Sequence, residues 1–522
     1  MGFDFLIFND VPGDKSVLDE NFVSWLVGEN AIDANLYYEK LWNYYHNPIT
    51  DITYGTDTNT PDNDNPRPYR QGQEYGLPPR ITGLTHSFYG GITGGTAVAG
   101  VKRKEVVIEN DIAWRIDTQV DFLFGKPFNI SCRAKNTERA KEIETILNTI
   151  FQANGGMTFF QSLAMLGGIY GFVDIILRWD EQFIQSHSQT RQDQHSSIGP
   201  ELSIVLEKAK NIILEAIEAP RAVPVLSENN YHNIDFYVQH YWQLHNQLEE
   251  NKNIIDAINH HGKNVSRQKE THNVEVISAN HWQRYEDQEL VAQGINPLGE
   301  IPVVHIQNMP MPMRYGGQSD VEPLIGLQDE LNTRLSDRAS RVTFQSFKMY
   351  LGKGIDSFEN RAIAPGRMWS TDNPEASIEE FGGDDESPSE KSHIEDIRQA
   401  LEKASGVASV AAGILTGKVG NLTSAVALKV TLMGLLSKTE RKRQSYGQGI
   451  KDMCSLILLA LDKTGLYRTT PDEREIDLHW SSPLPENIIE KLQEATMKKE
   501  LGLPAEQIFK ELGYQSDVKE CF

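Results

Sequence analysis

Apolar residues recur along this chain at two periods, and the longest run of the helical period falls between Ser319 and Leu461. In SDVEPLIGLQDELNTRLSDRASRVTF, Leu324, Leu331, Leu335 and Val342 follow one another at steps of seven, four and seven, which predicts one helical face. Ser319 or Asp320 supplies an N-cap, Glu322 suits the electropositive first turn, and Pro323 is tolerated that early. A helix from Ser319 to Phe344 is roughly 40 Å long. Its other face carries Arg334, Asp337, Arg338 and Arg341, which predicts a surface that is solvated or paired across an interface. A second helix is expected over His393–Lys403, and the intervening Phe347–Lys391 reads as a hairpin-like excursion. The small residues of Ala404–Asn421 then form a loop that leads into a proline-free run, Ser424 to Leu461, a helix of roughly 55 Å.

The rest of the chain alternates shorter elements. Asn21–Tyr45 has aromatic and apolar residues at helical spacing and predicts two short packed helices. Asn47–Pro78 is rich in Pro, Gly, Asn and Asp and reads as loop. Ile112, Ile116, Val120 and Leu123 mark a helix that Gly125-Lys126-Pro127 ends. Helices over Glu138–Phe151 and Phe159–Gly168 precede a strand over Phe172–Trp179. Glu181–Pro200 is polar and predicts an exposed excursion, and Glu201–Glu218 predicts a helix. Strands are expected over Arg221–Leu226, Ile234–Trp242, Asn273–Ser278 and Ile301–Ile306. After Leu461 come a strand over Ile476–Trp480 and helices over Asn487–Glu500 and Pro504–Leu512. The expected class is α+β, predominantly helical, with a mixed layer ahead of the long helices.

Charge and composition narrow the function. The 522 residues suffice for several subdomains, and 73 acidic against 50 basic residues give a net charge of -23. That balance argues against a protein whose main task is gripping nucleic acid, because Lys and Arg supply phosphate binding. It allows a wall past which a polyanion slides. Cys132, Cys454 and Cys521 are isolated, which points to a reducing compartment without disulfide framework or zinc site. No apolar run is long enough for a membrane span, and neither a signal peptide nor a myristoylation site is expected at the N-terminus.

Candidate chemistry is sparse. GILTGKVG, Gly413–Gly420, has three residues between its first two glycines and Val419 after Lys418, so it is not a phosphate-binding loop. No cofactor is expected. His232, His240, His245, His260 and His261 are dispersed and read as solvated or hydrogen-bonded, not as a metal site. There is no G-x-S-x-G elbow to single out a nucleophilic serine. The acidic tract Asp372–Glu402, which includes Asp384, Asp385, Glu386, Glu395 and Asp396, lacks the periodicity of a calcium loop. The basic cluster Lys438, Arg441, Lys442 and Arg443 reads as an interruption of the long helix, either a solvated turn or a partner for acidic residues of a neighbouring subunit.

Several passages, in order, resemble bacteriophage portal proteins, the head-tail connector rings of tailed double-stranded DNA phages. VIENDIAWRIDTQVDFLFGKPFNI (Val107–Ile130) is similar to their N-terminal wing segment, and GGIYGFVDIILRWD (Gly167–Asp180) to the helix-to-strand passage that follows. NPLGEIPVVHIQN (Asn296–Asn308), running into YGGQSDVEPLIGLQDELNTRLSD (Tyr315–Asp337), is the most specific match and resembles the approach to the first stem helix. The loop before TSAVALKV (Thr423–Val430) stands where portals place a tunnel loop. The resemblance runs from about Val107 to the end, and the first hundred residues match nothing specific.

What the resemblance implies is a non-enzymatic portal fold with wing, stem, clip and crown around a central channel. It divides the chain into an N-terminal region and α/β wing at 1–318, a first stem helix at 319–346, a clip at 347–392 and a second stem helix at 393–404. A tunnel loop at 405–422, a long wing helix at 423–462 and a crown at 463–522 complete it. Arg334, Asp337, Arg338, Arg341, Glu395 and Asp396 are then stem or channel residues, and Asp384, Asp385 and Glu386 belong to the clip. Gly406, Gly413, Gly417, Lys418 and Asn421 belong to the tunnel loop, where Lys418 touches phosphates weakly and without sequence preference. The implied partners are further copies in a ring, of twelve in the virion, the large terminase subunit, head-completion or adaptor and tail proteins, and major capsid and scaffolding proteins. Duplex DNA would pass through without sequence preference, and no membrane is involved. The implied location is the portal vertex of the virion, with assembly in the host cytoplasm. Two other classes stay open: a carboxylate-dependent nucleic-acid-processing enzyme using Asp384, Asp385 and Glu386 with magnesium, and a helical scaffold without a DNA path.

Overall fold

The computed structural model describes residues 13–14, 17–28, 31–51, 69–85, 96–97, 105–179, 202–227, 230, 233–248, 266–346, 349–353, 373–381, 388–412, 429–484 and 488–501. After a short antiparallel pairing of Gly13–Asp14 with Val17–Leu18 come helices α1 (Glu20–Val27) and α2 (Ile32–His46), as the aromatic spacing predicts. The stretch expected to be loop contributes two short strands that pair with each other, β1 (Ile49–Asp51) and β2 (Tyr69–Gln71). Next come α3 (Asp111–Phe124), β3 (Asn129–Cys132), α4 (Thr137–Ala153), α5 (Met157–Tyr170) and β4 (Phe172–Arg178), close to the predicted bounds.

The helix expected over Glu201–Glu218 divides. α6 spans Leu202–Ala209, and β5 (Ile213–Glu218) is a strand antiparallel to β4. The sequence of β5, ILEAIE, is compatible with either state, so the choice is made by tertiary contacts. Asn154 clamps the turn: its Nδ2 donates to the Ile212 carbonyl at 2.8 Å and its Oδ1 accepts from Leu214 N–H at 2.8 Å. Arg178 then reaches Glu215 across the strands at 2.5 Å.

Five antiparallel strands follow: β6 (Ala222–Leu226), β7 (Ile234–Leu248), β8 (Ser266–Ile277), β9 (His281–Glu286) and β10 (Glu289–Ile295). The hairpin β9–β10 has no predicted counterpart. Its turn residues Asp287 and Gln288 both have positive φ, the mirror-type turn of a two-residue hairpin, but neither is the glycine or asparagine that would announce it. β11 (Val303–Gln307) joins β4 and β5 in a separate three-stranded sheet with β4 at its centre.

The second half of the chain is built on long helices. α7 spans Ile325–Ser346 behind a single 3-10 turn, Glu322–Leu324. Leu324 and Leu331 are fully buried and Leu335 partly so, but Val342 is 52% exposed, so the apolar face ends before the helix does. β12 (Met349–Lys353) and β13 (Ser377–Phe381) pair in the expected hairpin-like excursion. α8 covers Pro388–Ser405, five residues earlier than the predicted start. α9, Met433–Lys463, has 31 residues, roughly 46 Å, and is set off by a turn at Leu432 from helical residues 429–431. Finally β14 (Ile476–His479) pairs with β3, and α10 spans Ile488–Glu500.

α9 is the spine of the main core. Leu435, Thr439, Lys442, Tyr446, Ile450, Met453, Ile457 and Leu461 are all buried at steps of three or four. Its later turns join α4, α5, β4 and β11 in one apolar cluster. Gly449 makes the crossing with β11 possible, since a Cβ there would fall 2.4 Å from Ile306 Cγ1. Lysine in such a stripe needs a partner.

Candidate functional site

That partner is Asp320, two residues ahead of the turn that starts α7. Its Oδ1 lies 2.6 Å from Lys438 Nζ and its Oδ2 lies 2.5 Å from Lys442 Nζ. Asn308 Nδ2 donates to Oδ2 at 2.8 Å, and the Asp320 N–H donates to the Gly168 carbonyl at 2.8 Å. Tyr446 in turn donates to Asn308 Oδ1 at 3.2 Å. Burial opposes ionisation of Asp320, but the ammonium groups of Lys442 and Lys438 outweigh it and hold the pKa at about 2. Burial pulls Lys442 the other way, below the ordinary lysine range, and Asp320 offsets this only in part. Ser319 beside it takes the capping role: its Oγ accepts from Val321 N–H at 3.0 Å and Glu322 N–H at 3.3 Å.

A second buried cation holds the end of α8. Arg115, on α3, is paired with Asp111 one turn earlier at 2.7 Å and is 1% exposed. Its Nη1 donates to Ser405 Oγ at 3.1 Å and to the Val407 carbonyl at 2.5 Å. Lys438 also donates to the Ser405 carbonyl at 3.1 Å, so one lysine touches both the start of α7 and the end of α8. Gly406 ends α8 in the left-handed region, at φ +73, a conformation that costs glycine least. Gly434, at the start of α9, passes so close that a Cβ on it would sit 3.3 Å from the Gly406 carbonyl oxygen. The chain therefore leaves at Gly406 and returns at Gly434 to the same point. Glu402 adds a further tie, accepting from both the N–H and the hydroxyl of Ser409.

The charged positions predicted on the two helices are partly neutralised within the chain. Arg334 pairs with Glu330 and Asp337, and Asp337 also takes Arg80. Arg341 joins α7 to α8 through Glu390. Arg338, Glu395 and Asp396 are exposed. Gly413, Gly417, Lys418 and Asn421, like Asp384, Asp385 and Glu386, lie outside the described residues, as do the excursion at 181–200 and the helix expected over Pro504–Leu512.

The basic cluster corrects the sequence reading. It does not interrupt α9, and Lys438 and Lys442 are neither a solvated turn nor free for a neighbour, because Asp320 of the same chain holds both. Arg443 pairs with Glu440, donates to the Ser481 carbonyl and lies over the Trp480 ring, while Arg441 is exposed. The signal was present: Lys438 and Lys442 are four apart, and Lys442 falls in register with Leu435, Tyr446 and Ile450.

Other buried polar groups form a smaller network. Asp174 accepts from Tyr237 Oη at 2.9 Å and Tyr315 Oη at 3.0 Å, and lies 2.6 Å from His305 Nδ1. His240 is hydrogen-bonded, its Nδ1 3.3 Å from His272 Nε2, as one of the two expected states requires. Among the described residues no three His, Cys, Asp or Glu side chains are grouped as metal ligands, and no helix is long and apolar enough to cross a membrane.

Long helices tied together by buried ion pairs, with Gly406 and Gly434 in contact, define a structural scaffold of the α+β class. The family model described as "Phage portal protein, SPP1 Gp6-like" matches residues 110–521, and the chain belongs to that phage portal protein family. The match begins within a few residues of where the sequence resemblance begins. The family is structural and non-enzymatic, and membership implies assembly as a ring at the capsid vertex of the virion. No curated protein matches the chain.

Proposed function

We propose that this chain is the subunit of a portal ring that serves as the channel for genome packaging and ejection and as the dock for terminase and, later, head-completion and tail proteins. In this reading α7 and α8 are the stem, the β12–β13 excursion is the clip, and the segment between Gly406 and Gly434 is the tunnel loop. The mixed region before Ser319 and α9 form the wing, and residues after Leu461 form the crown. Twelve copies close the ring through heterologous contacts.

The observation that carries this reading is the closed base of the loop. A finger that meets moving DNA needs a fixed root, and Arg115, Lys438 and the Gly406–Gly434 contact supply one. Lys418 would then be presented to phosphates from a loop whose two ends cannot separate. The overall negative charge suits passage without capture.

Two measurements test it. Electron-microscope images of the purified chain, classified by rotational symmetry, are expected to show closed twelve-fold rings with a hole wide enough for duplex DNA. Deleting residues 413–420, which spares the root, is expected to leave rings intact and abolish DNA packaging. Normal packaging by that variant overturns the tunnel-loop assignment, and compact monomers when co-expressed with capsid proteins overturn the ring.

A further inference from the structure

The buried site around Asp320 holds one cation too many. Two ammonium groups, those of Lys438 and Lys442, share its single carboxylate. Lys438 has a second acceptor in the Ser405 carbonyl, and 13% of its side chain is exposed. Lys442 has neither relief: among the described residues Asp320 is the one acceptor its Nζ reaches, and its side chain is 5% exposed. Burial above all, and the Lys438 ammonium after it, favour the neutral amine at Lys442, with Asp320 opposing. A desolvated lysine amine is a nucleophile.

An electrophile stands beside it. Asn308 directly follows β11 and is fully buried. Its Nδ2 donates at 2.8 Å to Asp320 Oδ2, the oxygen that Lys442 reaches at 2.5 Å. Amine and amide are therefore neighbours across one oxygen atom. The amide is also held in place, because Nδ2 donates to the Gln318 carbonyl at 3.1 Å and Oδ1 accepts from the Tyr446 hydroxyl at 3.2 Å. Gly167 leaves room for that hydroxyl, since a Cβ there would collide with it. A hydroxyl donating to an amide oxygen stabilises the negative charge that develops there under attack. Asn308, Asp320, Lys442 and Tyr446 are all buried, so water, the competing nucleophile, is kept out.

We propose that Lys442 and Asn308 join in an isopeptide bond, formed once per chain after folding with Asp320 as the proton carrier. Asp320 Oδ2 takes a proton from the Lys442 ammonium, and the freed Nζ lone pair attacks Asn308 Cγ. The carbonyl electrons move to Oδ1, under the Tyr446 hydroxyl. Asp320 passes its proton to Nδ2, and then takes a second one from Nζ. The electrons return from Oδ1, the Cγ–Nδ2 bond breaks, and ammonia leaves with the second proton as ammonium. One C–N bond replaces another, with no oxidation or reduction. Asp320 ends as a carboxylate paired with Lys438, and the surplus buried cation is gone. The bond ties the end of β11 to α9 and needs no second copy of the chain.

The test is the mass of the full, folded chain without substitution. It is expected to fall short of the sequence mass by one ammonia, and protease digestion is expected to give a branched peptide that contains both Asn308 and Lys442. Lys442→Met, which leaves Lys438 to pair with Asp320, is expected to keep the full mass. In denaturing electrophoresis it is expected to run behind the unaltered chain, whose closed loop keeps it more compact. Asp320→Asn retains both reacting groups and is expected to give no branched peptide. Tyr446→Phe is expected to slow bond formation about tenfold or more, read by mass in chain sampled at intervals after synthesis. The full mass after prolonged incubation of the folded, unaltered chain overturns the proposal. Ammonia loss that persists in Lys442→Met overturns it as well, because an asparagine that cyclises onto the backbone also loses ammonia. A branched peptide in Asp320→Asn overturns the role of Asp320. If that variant does not fold, the branched peptide of the unaltered chain decides.

Discussion

Lys442 places its ammonium 2.5 Å from the Asp320 carboxylate although 122 positions separate the two residues in the chain, and both are buried. The pair fixes the approach to α7 against the first third of α9. Removing one partner leaves the other charged without compensation in the interior, which costs more than the pair itself contributes. Asp320→Ala is expected to destabilise the chain by about 3–5 kcal/mol. Lys442→Met, which leaves Lys438 to pair with Asp320, is expected to cost clearly less. Urea unfolding of the three proteins checks the order, and equal losses would show that the carboxylate is not the hub.

The same carboxylate sets an acid limb. Its folded pKa, about 2, is below the ordinary aspartate value of 3.8, so the unfolded chain takes up the proton first as pH falls. The stabilisation is complete above about 3.8 and is lost as pH drops through about 2. Asp320→Asn is expected to flatten this part of the stability curve, measured by denaturant midpoint between pH 5 and 2. An unchanged slope would assign the acid limb to other carboxylates.

Arg115 is expected to govern the C-terminal end of α8. It contacts Ser405 and Val407 from α3, and no surface residue can replace a donor that is 1% exposed. Arg115→Met keeps much of the bulk and removes every donor. Amide hydrogen exchange at Gly406–Ser409 is expected to accelerate about tenfold or more, equivalent to about 1.4 kcal/mol of local opening. Unchanged exchange would leave the root to Lys438 and the glycine contact alone.

How these relationships escape sequence reading follows from their physics. Periodicity reports which face of an element is buried, and it located α3, α4, α5, α7 and the strands β4, β6 and β11 closely. It does not report what lies opposite. Asp320 is an acceptable N-cap by type and position, and only the fold shows that Ser319 caps while Asp320 faces α9. Lys442 looks solvated because lysine is rarely buried, although its register with Tyr446 and Ile450 says otherwise. β5 was lost for another reason: its sequence is ambiguous, and the deciding contacts come from Asn154 and Arg178, residues outside it. The end of α8 was half visible, since Gly406 announces a helix end, but its contact with Gly434 is tertiary.

Gly449 offers a packing test. Its ideal Cβ would stand 2.4 Å from Ile306 Cγ1 and 2.6 Å from Cδ1, so an added side chain must push β11 away from α9. Gly449→Val is expected to destabilise by about 1–3 kcal/mol, net of any gain in helix propensity. Ile306→Ala alone leaves a cavity, with a cost of about 2–5 kcal/mol. Together they are expected to cost less than their sum, because the new methyl groups occupy the vacated space. Additive losses in a double-mutant cycle would mean that the two sites do not touch.

His240, on β7, makes the five-stranded sheet sensitive to acid. Burial comes first, then the nearby His272 and Arg221, and together they lower its pKa to about 4 against a weaker hydrogen bond to the Pro220 carbonyl. His272 is lowered in the same direction, chiefly by burial, with Asp287 opposing. Both rings therefore stay neutral in the folded chain at pH values where the unfolded chain binds protons. Between about 6.5 and 4 the unfolded state binds more protons, and stability falls as pH falls through that window. For His240 the loss is at most about 3 kcal/mol, from 1.36 kcal/mol per pKa unit. His240→Gln is expected to remove most of the slope while keeping a polar group beside His272. An unchanged slope in the His240→Gln chain would place this part of the pH dependence on other groups.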